Sequence, residues 1–140
     1  MQLRGGLAGV DPATAMTFAA SPDAQAQAIE RAVDTAKRVA ARGGNAVVLI
    51  DTLSYLDPRS ARRILAAARN IVDGGSLTIV AAADLPVGGE TTVIALDAAL
   101  TSTGRYPALD LVNSGALRPE LLVGDAGAEA IAQARGAALG

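Results

Sequence analysis

The stretch GGNAVVLIDTLSYL, residues 43–56, decides the fold that the sequence predicts. Residues 46–50 are consecutive apolar side chains that follow a glycine pair and end at the carboxylate of Asp51. This pattern predicts a short strand buried on both faces, with a charge at its C-terminal end. Open α/β sheets bind ligands at that end, and in nucleoside triphosphatases an acidic residue there holds magnesium. A second interpretation is that Asp51 only caps the next turn.

The composition restricts both the core and the chemistry of any site. A chain of 140 residues is long enough for one domain. It is 51% hydrophobic but only 2% aromatic, so its core must consist of small aliphatic side chains. The chain contains no cysteine and no histidine, which excludes disulfides, thiolate metal sites and the usual proton shuttle. A net charge of −2 gives no general basic field for nucleic acid.

The N-terminal region carries no signal for export or membrane insertion. Its first residues, MQLRGGLAGV, lack the long apolar core of a signal peptide, and no apolar run approaches the ~20 residues of a membrane span. We therefore expect a soluble, cytoplasmic protein with no membrane partner. Residues 1–13 are glycine-rich and predict a flexible arm. Residues 14–20 predict a short strand with Met16 and Phe18 on one side.

Two helices and a second strand are predicted around the central strand. Ser21, followed by a proline, is a typical N-cap, and the helix after it should end at the glycine pair. Asp57 repeats this arrangement before a helix predicted over residues 58–71. Residues 76–83, SLTIVAAA, predict another buried strand. Strand, helix and strand joined by short connections predict a right-handed crossover in a parallel sheet.

The second half of the chain predicts a hairpin and a helix. Residues 91–97, TTVIALD, and 106–112, YPALDLV, predict two strands close enough in sequence to pair with each other. Residues 125–140 predict a weak, alanine-rich C-terminal helix. The predicted fold class is α/β: a small, mainly parallel sheet with flanking helices and an edge hairpin, within a single domain over residues 1–140.

Arginines crowd the predicted second helix and its end. They could grip phosphates or an acidic partner, but no aromatic side chains accompany them for base stacking. We therefore favour the interpretation that they are solubilising charges. The four residues are Arg59, Arg62, Arg63 and Arg69.

Missing motifs leave carboxylates as the candidate chemical groups. The phosphate-cradling pattern G-x-x-x-x-G-K-[ST] is absent, and Lys37, the sole lysine, falls in the middle of a predicted helix. Asp51, Asp84, Glu90 and Asp97 all fall at or near predicted strand ends. Asp51 and Asp84 end adjacent strands and could share a magnesium ion. The alternative is that these residues serve only turn chemistry.

Several stretches together resemble the C-terminal ATPase domain of the bacterial transcription termination factor Rho. The specific parts are AARN-x-x-x-GGSLTI and YPALD with a following SG, whereas a strand ending in Asp is generic. The matching pieces keep the family's order. They are residues 16–38, 46–56, 67–83 and 103–122, followed by the C-terminal helix.

The resemblance implies a RecA-like fold in a hexameric ring that hydrolyses ATP and pulls RNA through its centre. Mg-ATP would be the cofactor, and RNA and further copies of the chain would be the partners. Asp51 falls on the family's magnesium-associated Asp, and Thr52 on the hydroxyl residue after it. Arg105 and Arg118 lie one place from the family's intersubunit arginines. A one-residue slip along a strand points a side chain to the opposite face.

The departures from the family pattern restrict the function we expect. The family's phosphate loop and catalytic glutamate precede the matching region, the segment between Leu56 and Arg59 is much shorter, and the loop at residues 84–90 is shortened too. We expect a truncated or degenerate Rho-type ATPase domain that is not catalytic alone. An uncovered apolar sheet edge or face would favour a homo-oligomer. The alternatives are a non-catalytic self-assembling scaffold and a carboxylate–metal hydrolase that uses Asp51 and Asp84.

Overall fold

The computed structural model describes residues 21–140. The arm predicted at residues 1–13 and the strand predicted at residues 14–20 lie outside the described residues. The chain divides into two compact units between Ala83 and Asp84.

The first unit is an α/β layer in which helices cover a three-stranded sheet. The strand order is β1-β3-β2, with β1 parallel to β3 in the register Asn45↔Ser76 to Ile50↔Ala81. The predicted parallel crossover is therefore confirmed. The sheet is mixed, because β2 runs antiparallel to β3. The elements are α1 (Pro22–Ala41), β1 (Asn45–Ile50), α2 (Pro58–Leu65), β2 (Arg69–Asn70) and β3 (Ser76–Ala81).

Both predicted helix starts are confirmed. The Ser21 hydroxyl accepts a hydrogen bond from the Ala24 N–H at 3.3 Å. The Asp57 carboxylate accepts the N–H groups of Arg59 and Ser60 at 3.0 and 3.1 Å. Hydrogen bonds from the Ser60 side chain and backbone lower the pKa of Asp57. A proline follows each cap in the first turn, where its missing N–H costs nothing.

The second helix is shorter than predicted. It ends at Leu65, and part of the segment predicted to be helical forms β2 instead. The cause is the turn after Ile71: the Ile71 N–H donates to the Gly75 carbonyl at 2.9 Å, and the Gly74 N–H donates to the Ile71 carbonyl at 3.0 Å. This turn returns the chain alongside β3, so pairing with β3 replaces the last helical turns.

The core of the first unit lies on one face of the sheet. The prediction that β1 is buried on both faces is wrong, because Val47 and Leu49 are 64% and 59% exposed while Ile50 is 7% exposed. On β3, Leu77 is buried and Val80 is 55% exposed. The core consists of small aliphatic side chains, as the composition predicted. Its members are Val33, Ala36, Ala40, Ile50, Leu53, Ala61, Ile64, Ala67 and Leu77.

The second unit contains a small antiparallel sheet and two helices. The two-stranded sheet pairs Thr92 with Ala116 and Val93 with Gly115. Of the predicted strands at residues 91–97 and 106–112, only β4 and an isolated Leu96↔Leu109 bridge form. The two predicted segments meet only at that antiparallel bridge, and β4 pairs instead with β5, which follows the second segment, in a sheet separate from the parallel one. The elements are β4 (Thr92–Val93), α3 (Ala98–Ser102), β5 (Gly115–Ala116) and α4 (Glu120–Leu139).

The C-terminal helix is present but begins earlier than predicted. α4 starts at Glu120 but is interrupted at Gly124, which has φ 73° and ψ 170°. The longer part after this interruption starts at Asp125, which is the predicted start of the helix. The positive φ explains why glycine occupies this position. No residue of α4 is buried. Among the helices of residues 21–140, none is both long enough and apolar enough to cross a membrane.

Candidate functional site at the C-terminal end of β1

The segment after β1 is held in place by Leu53. Its N–H donates to the Ala82 carbonyl at 2.9 Å, and the Ala82 N–H donates to the Ile50 carbonyl at 3.1 Å. The Leu53 side chain is only 4% exposed, so it anchors the segment in the core. Asp51 and Thr52 are therefore positioned at the end of the sheet where α/β proteins bind ligands.

Asp51 does not cap the turn that follows. The turn closes through the Leu56 N–H and the Leu53 carbonyl at 2.9 Å. Thr52 performs the capping, because its Oγ1 accepts the Ser54 N–H at 3.1 Å and donates to the Ser54 Oγ at 2.9 Å. Asp51 is exposed, and no hydrogen bond or ion pair to it occurs within the described part of the chain. Its carboxylate is thus available to a hydrated cation, whereas the hydroxyl of Thr52 already has a local partner.

The three other candidate carboxylates, Asp84, Glu90 and Asp97, each have a different local environment. Asp84 opens the second unit, and a metal site shared with Asp51 stays a prediction. Asp97 caps α3 by accepting the N–H groups of Ala99 and Leu100 at 2.8 and 3.1 Å. The Oε2 atom of Glu90 is buried and has no hydrogen-bond partner in the described residues. No group of three or more potential metal ligands occurs within residues 21–140.

The two candidate intersubunit arginines both lie in the second unit, outside its strands. Arg105 is exposed, in the loop after α3, and makes no ion pair within residues 21–140. Arg118 follows β5 and forms an ion pair with Glu120, which lowers the pKa of that carboxyl. Arg105 and Arg118 are each displaced by one residue from the family's arginine positions. In a strand this displacement would point the side chain to the opposite face, but both residues lie in loops, where successive side chains do not alternate in this way. Their contact with a neighbouring nucleotide stays a prediction.

The arginines near α2 make local contacts. The Arg63 guanidinium lies 2.8 Å from the Glu30 carboxylate of α1, and both side chains are largely exposed. An exposed pair of this kind contributes at most about 1 kcal/mol. The Arg69 Nε donates to the Ala67 carbonyl at 3.2 Å. These contacts agree with the prediction of a solvated helix surface. Arg63 and Arg69 each bind a group of their own surroundings and do not together form a phosphate-binding site.

The GGSLTI part of the Rho-like pattern has a structural role. The Gly75 N–H donates to the Ala40 carbonyl at 3.0 Å, and a methyl group at Gly75 would overlap the carbonyl oxygen of Gly44. The Ser76 hydroxyl donates to the Asn45 side chain at 2.8 Å. A glycine is therefore required at this position, where the chain entering β3 passes directly against the backbone between α1 and β1.

The YPALD and SG parts hold the second unit together. Asp110 accepts the N–H groups of Val112 and Asn113 at 2.9 and 3.1 Å, and the Asn113 side-chain amide at 2.6 Å. The Asn113 amide and backbone lower the pKa of Asp110. The Ser114 Oγ accepts the Ala95 N–H at 2.9 Å.

Arg135 is a structural residue that the sequence analysis missed. Its Nη1 donates to the Ser114 carbonyl at 2.7 Å and so connects α4 to the loop before β5. One signal could have identified it, because Arg135 is the only basic residue of the predicted C-terminal helix. This contact ties α4 to the rest of the second unit, although none of the helix residues is buried.

Comparison with known proteins agrees with the sequence pattern. No family model matches the chain. The transcription termination factor Rho of Mycobacterium tuberculosis (strain H37Rv) is 32% identical over 144 residues, which cover 78% of this chain and 24% of Rho. The Rho of Mycobacterium leprae is 31% identical with the same coverage. The Rho of Streptobacillus moniliformis is 30% identical over 143 residues, which cover 77% of this chain and 34% of that protein.

The matched region of these relatives is longer than its counterpart here. The alignment spans 144 positions but covers only 78% of a 140-residue chain, so the relatives carry internal residues that this chain lacks. This agrees with the shortened segments that the sequence predicts. The chain matches only about a quarter to a third of the length of these relatives. The predicted resemblance is therefore confirmed: over most of its length, this chain is similar to a part of the transcription termination factor Rho.

Proposed function

We propose that this chain is a reduced Rho-type domain with a RecA-like core, related to RNA-dependent, ATP-driven transcription termination in the cytoplasm, that does not hydrolyse ATP alone. The observation that carries the proposal is the 32% identity to Rho over 78% of the chain. The position of Lys37, the sole lysine, supports the proposal that the chain does not hydrolyse ATP alone. It lies within α1 with its ammonium 3.2 Å from the Asp34 carboxylate. A phosphate loop instead needs its lysine where a helix begins after a strand.

The C-terminal end of β1 retains the two residues that this strand would contribute to a nucleotide site, Asp51 and Thr52. The exposed carboxylate of Asp51 fits a hydrated magnesium ion, which prefers oxygen ligands and keeps several waters. Magnesium would neutralise phosphate charge there, and Thr52 would hold the segment in shape through its bond to Ser54. In this proposal the phosphate loop comes from outside this chain, and Arg105 and Arg118 face a neighbouring subunit's nucleotide.

Turnover and binding measurements test this proposal. We expect no ATP hydrolysis above background by the chain alone, with or without RNA, because the phosphate-binding lysine is absent. Isothermal titration with Mg-ATP should show at most weak binding, which Asp51→Asn removes and Glu129→Gln, on the exposed surface of α4, leaves unchanged. Magnesium-dependent turnover that Asp51→Asn abolishes would contradict the inactive state and favour the metal-hydrolase alternative.

The second candidate function is a self-assembling scaffold, and the exposed sheet face favours it. Val47, Leu49 and Val80 lie on the face opposite the helices and are each more than half exposed. Adjacent apolar side chains on one face favour association with another surface. In this proposal copies of the chain form a homo-oligomer through this face, and RNA and nucleotide are not needed.

Light-scattering mass distinguishes the two candidates. A scaffold forms an oligomer whose mass is indifferent to Mg-ATP and to a short RNA. Leu49→Thr, which keeps strand propensity but removes apolar area, should lower that mass. Val72→Thr is the matched control, because Val72 is 90% exposed and lies on the turn between β2 and β3. A monomeric chain at micromolar concentration would exclude the scaffold.

A further inference from the structure

The C-terminal helix α4 is divided into two parts by the backbone conformation of one residue. Gly124 has φ 73° and ψ 170°, a combination that residues with a side chain rarely adopt. A methyl group at Gly124 would meet no atom within 4 Å, so the conformation, and not crowding, explains the glycine. Because helix formation is cooperative along an uninterrupted hydrogen-bond ladder, residues 125–139 can melt without the turn before them.

The part of α4 after Gly124 has little stability of its own. Isolated helices shorter than about 12–15 residues are marginal in water, even when they are rich in alanine. Gly127 and Gly136 lower the helix propensity of this part further. None of its side chains is buried, and Ile131 is nearly half exposed. A contact outside the helix must therefore supply part of its stability.

Arg135 makes such a contact. Its Nη1 donates to the Ser114 carbonyl at 2.7 Å in a part-buried bond, and a Cβ at Gly115 would lie 3.8 Å from the same nitrogen. The acceptor is itself fixed, because the Ser114 N–H donates to the Asp110 carbonyl at 3.0 Å and the Ser114 Oγ accepts the Ala95 N–H at 2.9 Å. A charged donor makes a stronger hydrogen bond than a neutral one. The guanidinium therefore docks α4 on the backbone that enters β5.

We propose that residues 125–139 form a conditionally folded strap, which is helical while the Arg135 guanidinium contacts the Ser114 carbonyl and melts when that contact is lost. The melted segment extends back to Gly124, where the interruption of the helix stops the loss of structure. The strap opens at a lower free energy than the sheet of the second unit, and its opening uncovers the backbone at Ser114 and Gly115. Opening requires neither nucleotide nor a second copy of the chain.

Amide hydrogen exchange, measured residue by residue on the full chain, tests the strap. In the unsubstituted chain the amides of residues 129–139 should have similar protection, lower than that of the Ala95 amide, because they open as one unit. Arg135→Met keeps the helix propensity of the residue but removes the donor. It should lower the protection of residues 129–139 by about tenfold or more. The protection of the Ala95 amide should stay unchanged.

Two control substitutions separate the hydrogen bond from other effects. Arg135→Lys retains a charged donor, although without the planar fork of arginine, and should restore the protection in part. Glu129→Gln removes a charge elsewhere on α4 and leaves Arg135 in place. It should change the protection of residues 129–139 by less than about threefold.

A double substitution tests whether the loss of protection acts through helix formation. A methyl group at Gly136 meets no atom within 4 Å, so alanine fits there and raises the helix propensity. Arg135→Met combined with Gly136→Ala should therefore regain about fivefold of the protection that Arg135→Met alone loses. Damage to the rest of the second unit would not be repaired in this way.

Each of three outcomes would overturn the proposal. The first is protection of residues 129–139 in the unsubstituted chain that equals the protection of the Ala95 amide. The second is protection that Arg135→Met leaves unchanged. The third is a loss in Arg135→Met that is as large at the Ala95 amide as in the helix, because the contact would then support the whole unit.

Discussion

The two units of this chain are stabilised by different interactions. In the described residues, nine of the ten buried hydrophobic side chains belong to the unit before Asp84, and only Ala108 belongs to the unit after it. In that second unit Ile94, Leu96 and Leu117 are each more than 70% exposed. Burial of apolar surface therefore stabilises the first unit, whereas hydrogen bonds maintain the second.

The difference follows from the lengths of the strands. β1 and β3 are six residues each, long enough to present a continuous apolar face to the amphipathic α1. β4 and β5 are two residues each, and α4 buries no side chain. Asp97, Asp110 and Ser114 supply side-chain oxygens to backbone N–H groups that regular pairing would otherwise satisfy. We therefore expect substitutions of matched type to have unequal effects in the two units.

The largest difference is expected between two glycine-to-alanine substitutions. Gly75→Ala in the first unit forces a methyl group against the Gly44 carbonyl, where backbone must move, and should cost more than about 3 kcal/mol of unfolding free energy. Gly136→Ala in α4 meets no atom within 4 Å and should stabilise the helix by up to about 1 kcal/mol. Urea denaturation followed by far-ultraviolet circular dichroism measures both. Equal effects would show that the close approach at Gly75 is not rigid.

Truncation of leucine tests the difference in burial directly. Leu77 is 3% exposed, so Leu77→Ala should cost about 3 kcal/mol through lost burial and a residual cavity. Leu122 in α4 is 67% exposed, so Leu122→Ala should change stability by less than about 0.5 kcal/mol. Hydrogen exchange read by mass spectrometry assigns each effect to its unit. A large cost at Leu122 would mean that this side chain is buried in solution, for example within an oligomer.

Removal of the Ser114 hydroxyl tests the hydrogen bonds of the second unit. Ser114→Ala leaves the part-buried Ala95 N–H without its acceptor, which should cost about 1–2 kcal/mol. Ser102→Ala is the control, because Ser102 is exposed and bonds only within α3, at 2.7 Å to the Ala99 carbonyl. Exchange at the Ala95 amide should accelerate in Ser114→Ala alone. Unchanged exchange would show that this hydroxyl does not stabilise the unit.

The smallest expected effect is the acid dependence of the second unit. The pKa of Asp110 lies below its usual value because Asn113 donates to the carboxylate. Since the folded pKa is below the unfolded one, this contribution is fully present above about pH 4 and is lost as pH falls through the folded pKa. Asp110→Asn should remove this part of the acid dependence. Carboxyl NMR titration measures the pKa, and a value at or above the usual one would contradict the geometry.

At the candidate site, local sequence signals predict where Asp51 lies but not which side chain caps the turn after it. The position of Asp51 at the end of β1 was predictable, because a run of apolar residues between a glycine pair and an acid is a strong local signal. That Thr52, and not Asp51, caps the next turn depends on the path of the chain beyond Ala82, to which Leu53 is bonded. No periodicity in the sequence encodes that path.

The sequence by itself determined the helix starts at Ser21 and Asp57 and the parallel pair of β1 and β3. Caps, first-turn prolines and apolar runs act within a few residues, so they can be recognised without knowledge of the fold. Only the tertiary structure decided which face of β1 is covered and where α2 ends. Those outcomes depend on competition between distant segments for the same surface, because a residue is buried only if another element covers it.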